Sequence, residues 1–182
     1  RPAALVHAQD KLVMRERLTA AGIPCPRWRA VSGADDVAAF AREVGWPVVL
    51  KTPRGGYDGK GVWLLDGPAA AEEVLAGLAA SGGAAAQGPW LAEEAVPFRR
   101  ELAAVVARSP HGQAVAYPCV ETVQVDGICR EVLAPAPGLS DHEATQAQEV
   151  ALRVAGELDV TGVLAVELFD VPPRDGAPEG VV

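Results

Sequence analysis

Lys51-Thr52-Pro53-Arg54-Gly55-Gly56-Tyr57-Asp58-Gly59-Lys60-Gly61-Val62-Trp63-Leu64 is the stretch from which the rest of the chain is read. Apolar runs flank its glycines, Pro47-Val48-Val49-Leu50 before and Val62-Trp63-Leu64-Leu65 after, which predicts strand, loop, strand. Glycine permits positive φ and close backbone approach, so consecutive amides can converge on an anion such as a polyphosphate. Lys51 and Lys60 add positive charge there. The loop is not a Walker A motif, because Val62 follows Gly61 where lysine must stand. Nor is it the dinucleotide fingerprint, which opens a helix, whereas a β-rich run follows here. The competing reading is a long hairpin whose glycines serve only the turn. A tight hairpin needs about two to five residues and no flanking lysines, which favours the phosphate loop.

Towards the amino terminus, Gln9 to Ala21 reads as a helix capped by Asp10, with Leu12, Met14 and Leu18 apolar, and Gly22 and Pro24 ending it. Lys11 in its first turn opposes the helix dipole, so it reads as a surface or ligand-facing residue. Arg27 to Val31 is a short strand. A helix follows from Ser32, with Val37, Phe40, Ala41 and Val44 on one stripe and Gly45 as its stop.

Beyond the loop, Pro68 starts a third helix with Val74, Leu75 and Leu78 inward. Ser81 to Gly88 is a loop and Trp90 to Glu94 a strand ending in paired acids. The order predicts a small α+β layer with helices on one face of a sheet. Val96-Pro97-Phe98 breaks the strand and connects two lobes. From Arg100 onward, strands over 100–107, 114–118, 120–125 and 128–134, with Asp126-Gly127 as a hairpin turn, predict an antiparallel meander. Ser140 and Glu143 form a capping box for a helix running to about Leu158, with Ala147, Val150, Ala151 and Val154 inward. Gly162 to Asp170 is a nearly continuous apolar strand interrupted by Glu167.

The formal net charge of −8 over 182 residues argues against a nucleic-acid or anionic-membrane surface. No apolar run is long enough to cross a bilayer. Cys25, Cys119 and Cys129 are odd in number without Cys-x-x-Cys spacing, which predicts neither a disulfide framework nor a zinc site and fits a reducing, cytoplasmic setting. The three histidines are isolated and no nucleophilic triad is visible, so the favoured chemistry is phosphoryl transfer, which rests on positioning and charge neutralisation.

Glu101 and Glu167 each share a strand face with Val or Ala, and a carboxylate in apolar surroundings is costly unless paired, hydrogen-bonded or metal-bound. Glu101 reads either as a ligand or as a strand-end acid paired with Arg99 or Arg100. Glu167, beside a phosphate-loop signal, suggests magnesium shared between carboxylate and substrate phosphates.

The string Arg54 to Gly61, then Glu94-Ala95-Val96-Pro97-Phe98-Arg99-Arg100-Glu101, Ala107 to Gly112, Tyr117-Pro118 and Asp126-Gly127-Ile128 resembles the N5-carboxyaminoimidazole ribonucleotide synthetases, ATP-grasp enzymes of bacterial and fungal purine synthesis. The likeness runs from about Gln9 to Asp170. It implies an ATP-grasp fold: a connecting helix over 1–22, a lid domain over 23–94, and over 95–182 the first part of a larger antiparallel-sheet domain. The chain is then a fragment of a longer one. The resemblance assigns ATP phosphates to Lys11 and Lys51, and the closing loop to Gly56, Tyr57, Asp58, Gly59, Lys60, Gly61 and Val62. Glu93, Glu94, Ala95 and Val96 become the adenine-facing connection, Glu101 the ribose hydroxyl acceptor, and Glu167 the first magnesium ligand. Tyr57 and Lys60 take catalytic places beside bicarbonate and carboxyphosphate. Two positions depart from the family pattern: Val62 stands where glutamine is common, and Gln124 where some members place a nucleotide-contacting histidine. The implied substrates are ATP, bicarbonate and aminoimidazole ribonucleotide, with Mg2+ as cofactor and a homodimer as the common assembly. Another ATP-grasp ligase or carboxylase, or a nucleotide-binding module without turnover, remains a reading of the same motifs.

Overall fold

The computed structural model describes residues 2–56, 59–82, 88–173 and 180–182. The chain divides into two units, one of Arg1–Leu5, Glu16–Cys25 and Val96–Val182, the other of Val6–Arg15 and Pro26–Ala95.

In the second of these, four short strands form a sheet: β1 (Trp28–Val31), β2 (Val48–Lys51), β3 (Val62–Leu65) and β4 (Trp90–Glu94), in the order β1-β4-β2-β3 and antiparallel throughout. Two helices, α3 (Ala34–Val44) and α4 (Pro68–Ser81), pack on it, α3 against β1, β2 and β4, and α4 against β3 and α3. Alternation along the strands turns Val31, Val48, Leu50, Leu65, Trp90 and Ala92 onto Val37, Phe40, Leu75 and Leu78 of the helices, and these side chains make the core. The other face is left to Val49, Lys51, Leu91 and Glu93. The helix expected from Ser32 starts at Ala34, because the Asp36 carboxylate accepts from the Ser32 amide at 2.8 Å and holds that residue outside the first turn. Pro68 does open α4. Of the loop expected over Ser81 to Gly88, Ser81 closes α4 and 83–87 lie outside the described residues.

Two helices precede β1: the short α1 (Leu5–Gln9) and α2 (Lys11–Ala20). Asp10 caps α2, its Oδ1 accepting from the amides of Leu12 at 3.0 Å and Val13 at 3.3 Å.

Among the described residues the other unit holds six strands: β5 (Arg100–Arg108), β6 (Ala114–Ala116), β7 (Val120–Val125), β8 (Ile128–Leu133), β9 (Gly162–Val171) and β10 (Gly180–Val181). Strand β9 lies antiparallel along one edge of β5 from Arg100↔Asp170 to Arg108↔Gly162. On the opposite edge β6 takes Val106–Arg108 and β7 takes Glu101–Ala103. The sheet is therefore antiparallel but not a simple meander, since β9 enters beside β5, out of sequence order. The β7–β8 hairpin turns at Asp126 and Gly127, both at positive φ. Helix α5 (Asp141–Glu157) starts in the expected capping box and packs on β5, β6, β9 and β10. Leu102, Ala104, Val106 and Leu168 are buried on its side together with Ala147, Ala151 and Val154 of the helix.

Asp170, 2 % exposed, is held by Arg99 at 2.6 Å and by Arg100 at 2.8 Å. Arg99 also reaches Glu143 of the capping box at 3.0 Å, and Arg100 reaches Glu121 and the Pro137 carbonyl. This network joins β5, β7, β9 and the start of α5.

Candidate nucleotide-binding site

The glycine loop leaves β2 at Lys51 and enters β3 at Val62, directly opposite each other in the sheet register. Three tethers hold its described ends. The Thr52 amide donates to the Gly61 carbonyl and the Lys11 amide to the Pro53 carbonyl, each at 2.9 Å, while Arg54 Nε pairs with Asp10 Oδ2 at 2.8 Å. Burial pushes the Asp10 carboxyl up, but hydrogen bonds from the Val13 amide, Arg54 and the Leu12 amide outweigh it and hold Asp10 below the usual carboxylate range.

Glycine is required at two positions. A Cβ on Gly56 would come within 2.8 Å of the Lys60 carbonyl oxygen and 3.4 Å of Lys11 Nζ. Gly61 sits at φ +76°, and a Cβ there would overlap Thr52 Oγ1. The second of the Gly56 contacts also locates the Lys11 ammonium, one methyl's width from the loop backbone. A cavity of about 420 Å³ opens here, lined by Asp10, Lys11, Arg54, Gly55 and Gly56 among others.

Behind the loop, Glu93 is 2 % exposed and carries two cations, Arg15 Nε on Oε1 at 2.5 Å and Lys51 Nζ on Oε2. Burial raises the Glu93 carboxyl; the charges of Arg15 and Lys51 and their hydrogen bonds outweigh it, so Glu93 stays ionised. Lys11 lies close enough to feel the same cluster. Burial first, and then the charge of Lys51, draw its ammonium below the usual lysine range, with Glu93 and Asp10 pulling the other way. Three cations thus gather around one buried carboxylate beneath a glycine loop, an excess of positive charge suited to an anionic ligand.

The remaining expected site residues stand as follows. Gly59 and Lys60 are exposed on the loop, Val62 is exposed at the start of β3, and Tyr57 and Asp58 lie outside the described residues. Glu94 pairs with Arg27 at 2.6 Å, Ala95 is half-buried and Val96 is buried. In the other unit, Glu101 is half-buried opposite Phe169 and Thr122, with Gln124 two residues further along β7. Glu167 pairs with Ala103 and is exposed, so the apolar enclosure expected for it is absent: its strand face is the one away from the buried Leu168. Register puts Glu101 and Glu167 diagonally across β5 and β9 on one face. Of the two, Glu167 is the exposed carboxylate, and it fits magnesium, which takes one or two such ligands and fills its shell with phosphate oxygens and water. Among the described residues no cluster of three or more His, Cys, Asp or Glu side chains could hold a metal by itself. No helix among them is long and apolar enough to cross a membrane.

Sequence reasoning missed Arg15 and the lysine-holding role of Glu93. The signal available was Lys11-x-x-x-Arg15, two cations one turn apart near a helix start, where both oppose the dipole.

A glycine loop rooted on lysines between two antiparallel strands, followed by a sheet bearing paired acids, defines a class. A model described as the ATP-grasp domain matches residues 16–176, and the chain belongs to the ATP-grasp family. Its relatives include the N5-carboxyaminoimidazole ribonucleotide synthases of Mycobacterium tuberculosis, 53 % identical over 176 residues (97 % of this chain, 39 % of the relative), and of Corynebacterium ammoniagenes, 44 % identical over 178 residues (98 % and 42 %). Among solved structures, N5-carboxyaminoimidazole synthase from Aspergillus clavatus, in complex with ADP and 5-aminoimidazole ribonucleotide, superposes with a TM-score of 0.82 at 28 % identity, covering 98 % of this chain and 44 % of that one. The chain spans about two fifths of the length of the curated relatives it matches.

Proposed function

We propose that this chain is the nucleotide-binding part of an N5-carboxyaminoimidazole ribonucleotide synthetase. In this reading 1–22 is the connecting segment, which the fold builds from α1 and α2 rather than from the single helix expected, 23–94 is the lid domain, and 95–182 is the first part of the carboxy-terminal ATP-grasp domain. The whole protein carboxylates 5-aminoimidazole ribonucleotide with ATP and bicarbonate, releasing ADP and phosphate, in the cytoplasm and as a homodimer. The observation that carries the reading is the cationic root of the loop, where Lys11 and Lys51 stand against Gly56 and Glu93.

Lys11 and Lys51 neutralise the ATP phosphates, and the amides of Gly56 to Val62 cover them. Glu93 to Val96 face the adenine, Glu101 accepts the ribose hydroxyl, and Gln124 lies along the same nucleotide face. Glu167 is the protein's ligand to magnesium, which supplies charge neutralisation on the phosphates when bound. Bicarbonate attacks the γ-phosphorus and ADP leaves. The amine of the ribonucleotide then attacks the carboxyl carbon of carboxyphosphate and phosphate departs, with Tyr57 and Lys60 beside the intermediate. A closed loop keeps water from it.

Phosphate release by the full-length protein tests this, with MgATP present and bicarbonate and 5-aminoimidazole ribonucleotide added singly and together. A steep rise only with the ribonucleotide, matched by its carboxylation, is the expected result. Release indifferent to the ribonucleotide would overturn the substrate and leave another ATP-grasp carboxylase or ligase; nucleotide binding without release would leave a binding module.

A further inference from the structure

We infer that Arg15 is a positioning residue for ATP: through the buried carboxylate of Glu93 it sets the place of the Lys51 ammonium beneath the glycine loop. This rests on the nucleotide-binding reading above.

Glu93 stands in β4 between Trp28 of β1 and Val49 of β2, enclosed to 2 % exposure. A carboxylate that enclosed is tolerated only with partners, and each of its oxygens has one, Arg15 on Oε1 and Lys51 on Oε2. With Lys51 as sole partner, the ammonium would be drawn between both oxygens into a closed ion pair. Arg15 occupies one oxygen, so Lys51 is held from a single side. An ammonium has three donors, and those not used on Glu93 remain for phosphate oxygens.

The helix itself gains nothing from this arrangement. Lys11 and Arg15 follow one another at a spacing of four in the amino-terminal half of α2, where like charges repel and both oppose the macrodipole. Asp10, the nearest acid on that end, is committed to the cap and to Arg54. A local rule broken without local return points to a use elsewhere. That use is the Glu93 clamp: Arg15 is 15 % exposed and its side chain ends on the carboxylate that holds Lys51.

The test is a titration of the full-length protein with MgATP, comparing wild type, Arg15→Lys, Arg15→Met and Arg15→Gln. Loss of a charge-assisted hydrogen bond that orients a phosphate ligand is expected to weaken MgATP about ten- to a hundredfold in the Met and Gln variants, with Arg15→Lys within about threefold of wild type. Two uncharged variants guard against one failing to fold. Unchanged affinity in them, or equal loss in all three variants, which would mark a packing role, overturns the inference. Absence of MgATP affinity in the wild type overturns the nucleotide-binding reading itself.

Discussion

Lys51 and Glu93 lie 42 positions apart in sequence, and Arg15 and Glu93 lie 78 apart. Lys51 was legible as the cation at the root of a glycine loop. Its anchor was not, because periodicity says which face a residue takes and nothing about which distant charge it will find there. Glu93 read as one of two acids ending a strand; the fold separates them, burying Glu93 on the lysines' side and sending Glu94 to Arg27. Lys11 by itself reads as a surface or ligand-facing residue, and only the resemblance gives it a phosphate role; in the structure its ammonium lies against Gly56. At this scale Lys51→Ala is expected to raise the KM for ATP about ten- to a hundredfold, the worth of one charge-assisted phosphate contact. Steady-state kinetics of the full-length protein at varied ATP checks it, and an unchanged KM would remove Lys51 from the site.

Among elements, those bounded by glycine, proline or a capping residue were legible. Asp10 at the start of α2, Pro68 at α4, Asp126-Gly127 in the hairpin and Ser140 with Glu143 at α5 all act as local chemistry requires. Pairing between strands far apart was not. The insertion of β9 beside β5 depends on the burial of Leu168 with Leu102 and on Asp170 meeting both Arg99 and Arg100, contacts about seventy residues long in sequence. The loop is the element most exposed to a single change. Gly61→Ala must place a side chain at φ +76° and against Thr52, and is expected to destabilise the protein by about 1–3 kcal/mol. Denaturant unfolding of variant and wild type measures the difference; equal midpoints would show that the loop root yields freely.

The chain carries net charge −8, yet acid is expected to weaken its fold rather than relieve it. Glu93, Asp10 and Glu143 are all held below their ordinary range in the folded state. A depressed folded value means the stabilisation is complete above the unfolded carboxylate range, near pH 4, and drains away as pH falls through the lower, folded values. Unfolding followed from pH 7 to pH 3 is expected to show a stability loss that Glu93→Gln makes shallower; identical profiles would mean the buried clamp does not sense protons. The strand order has a consequence for synthesis as well. The four-stranded sheet has all its strands once Glu94 has left the ribosome. Strand β5 emerges immediately afterwards, but one whole edge of it must wait for β9, some sixty residues later, and through that interval of translation its amides and carbonyls on that side are open to any passing strand.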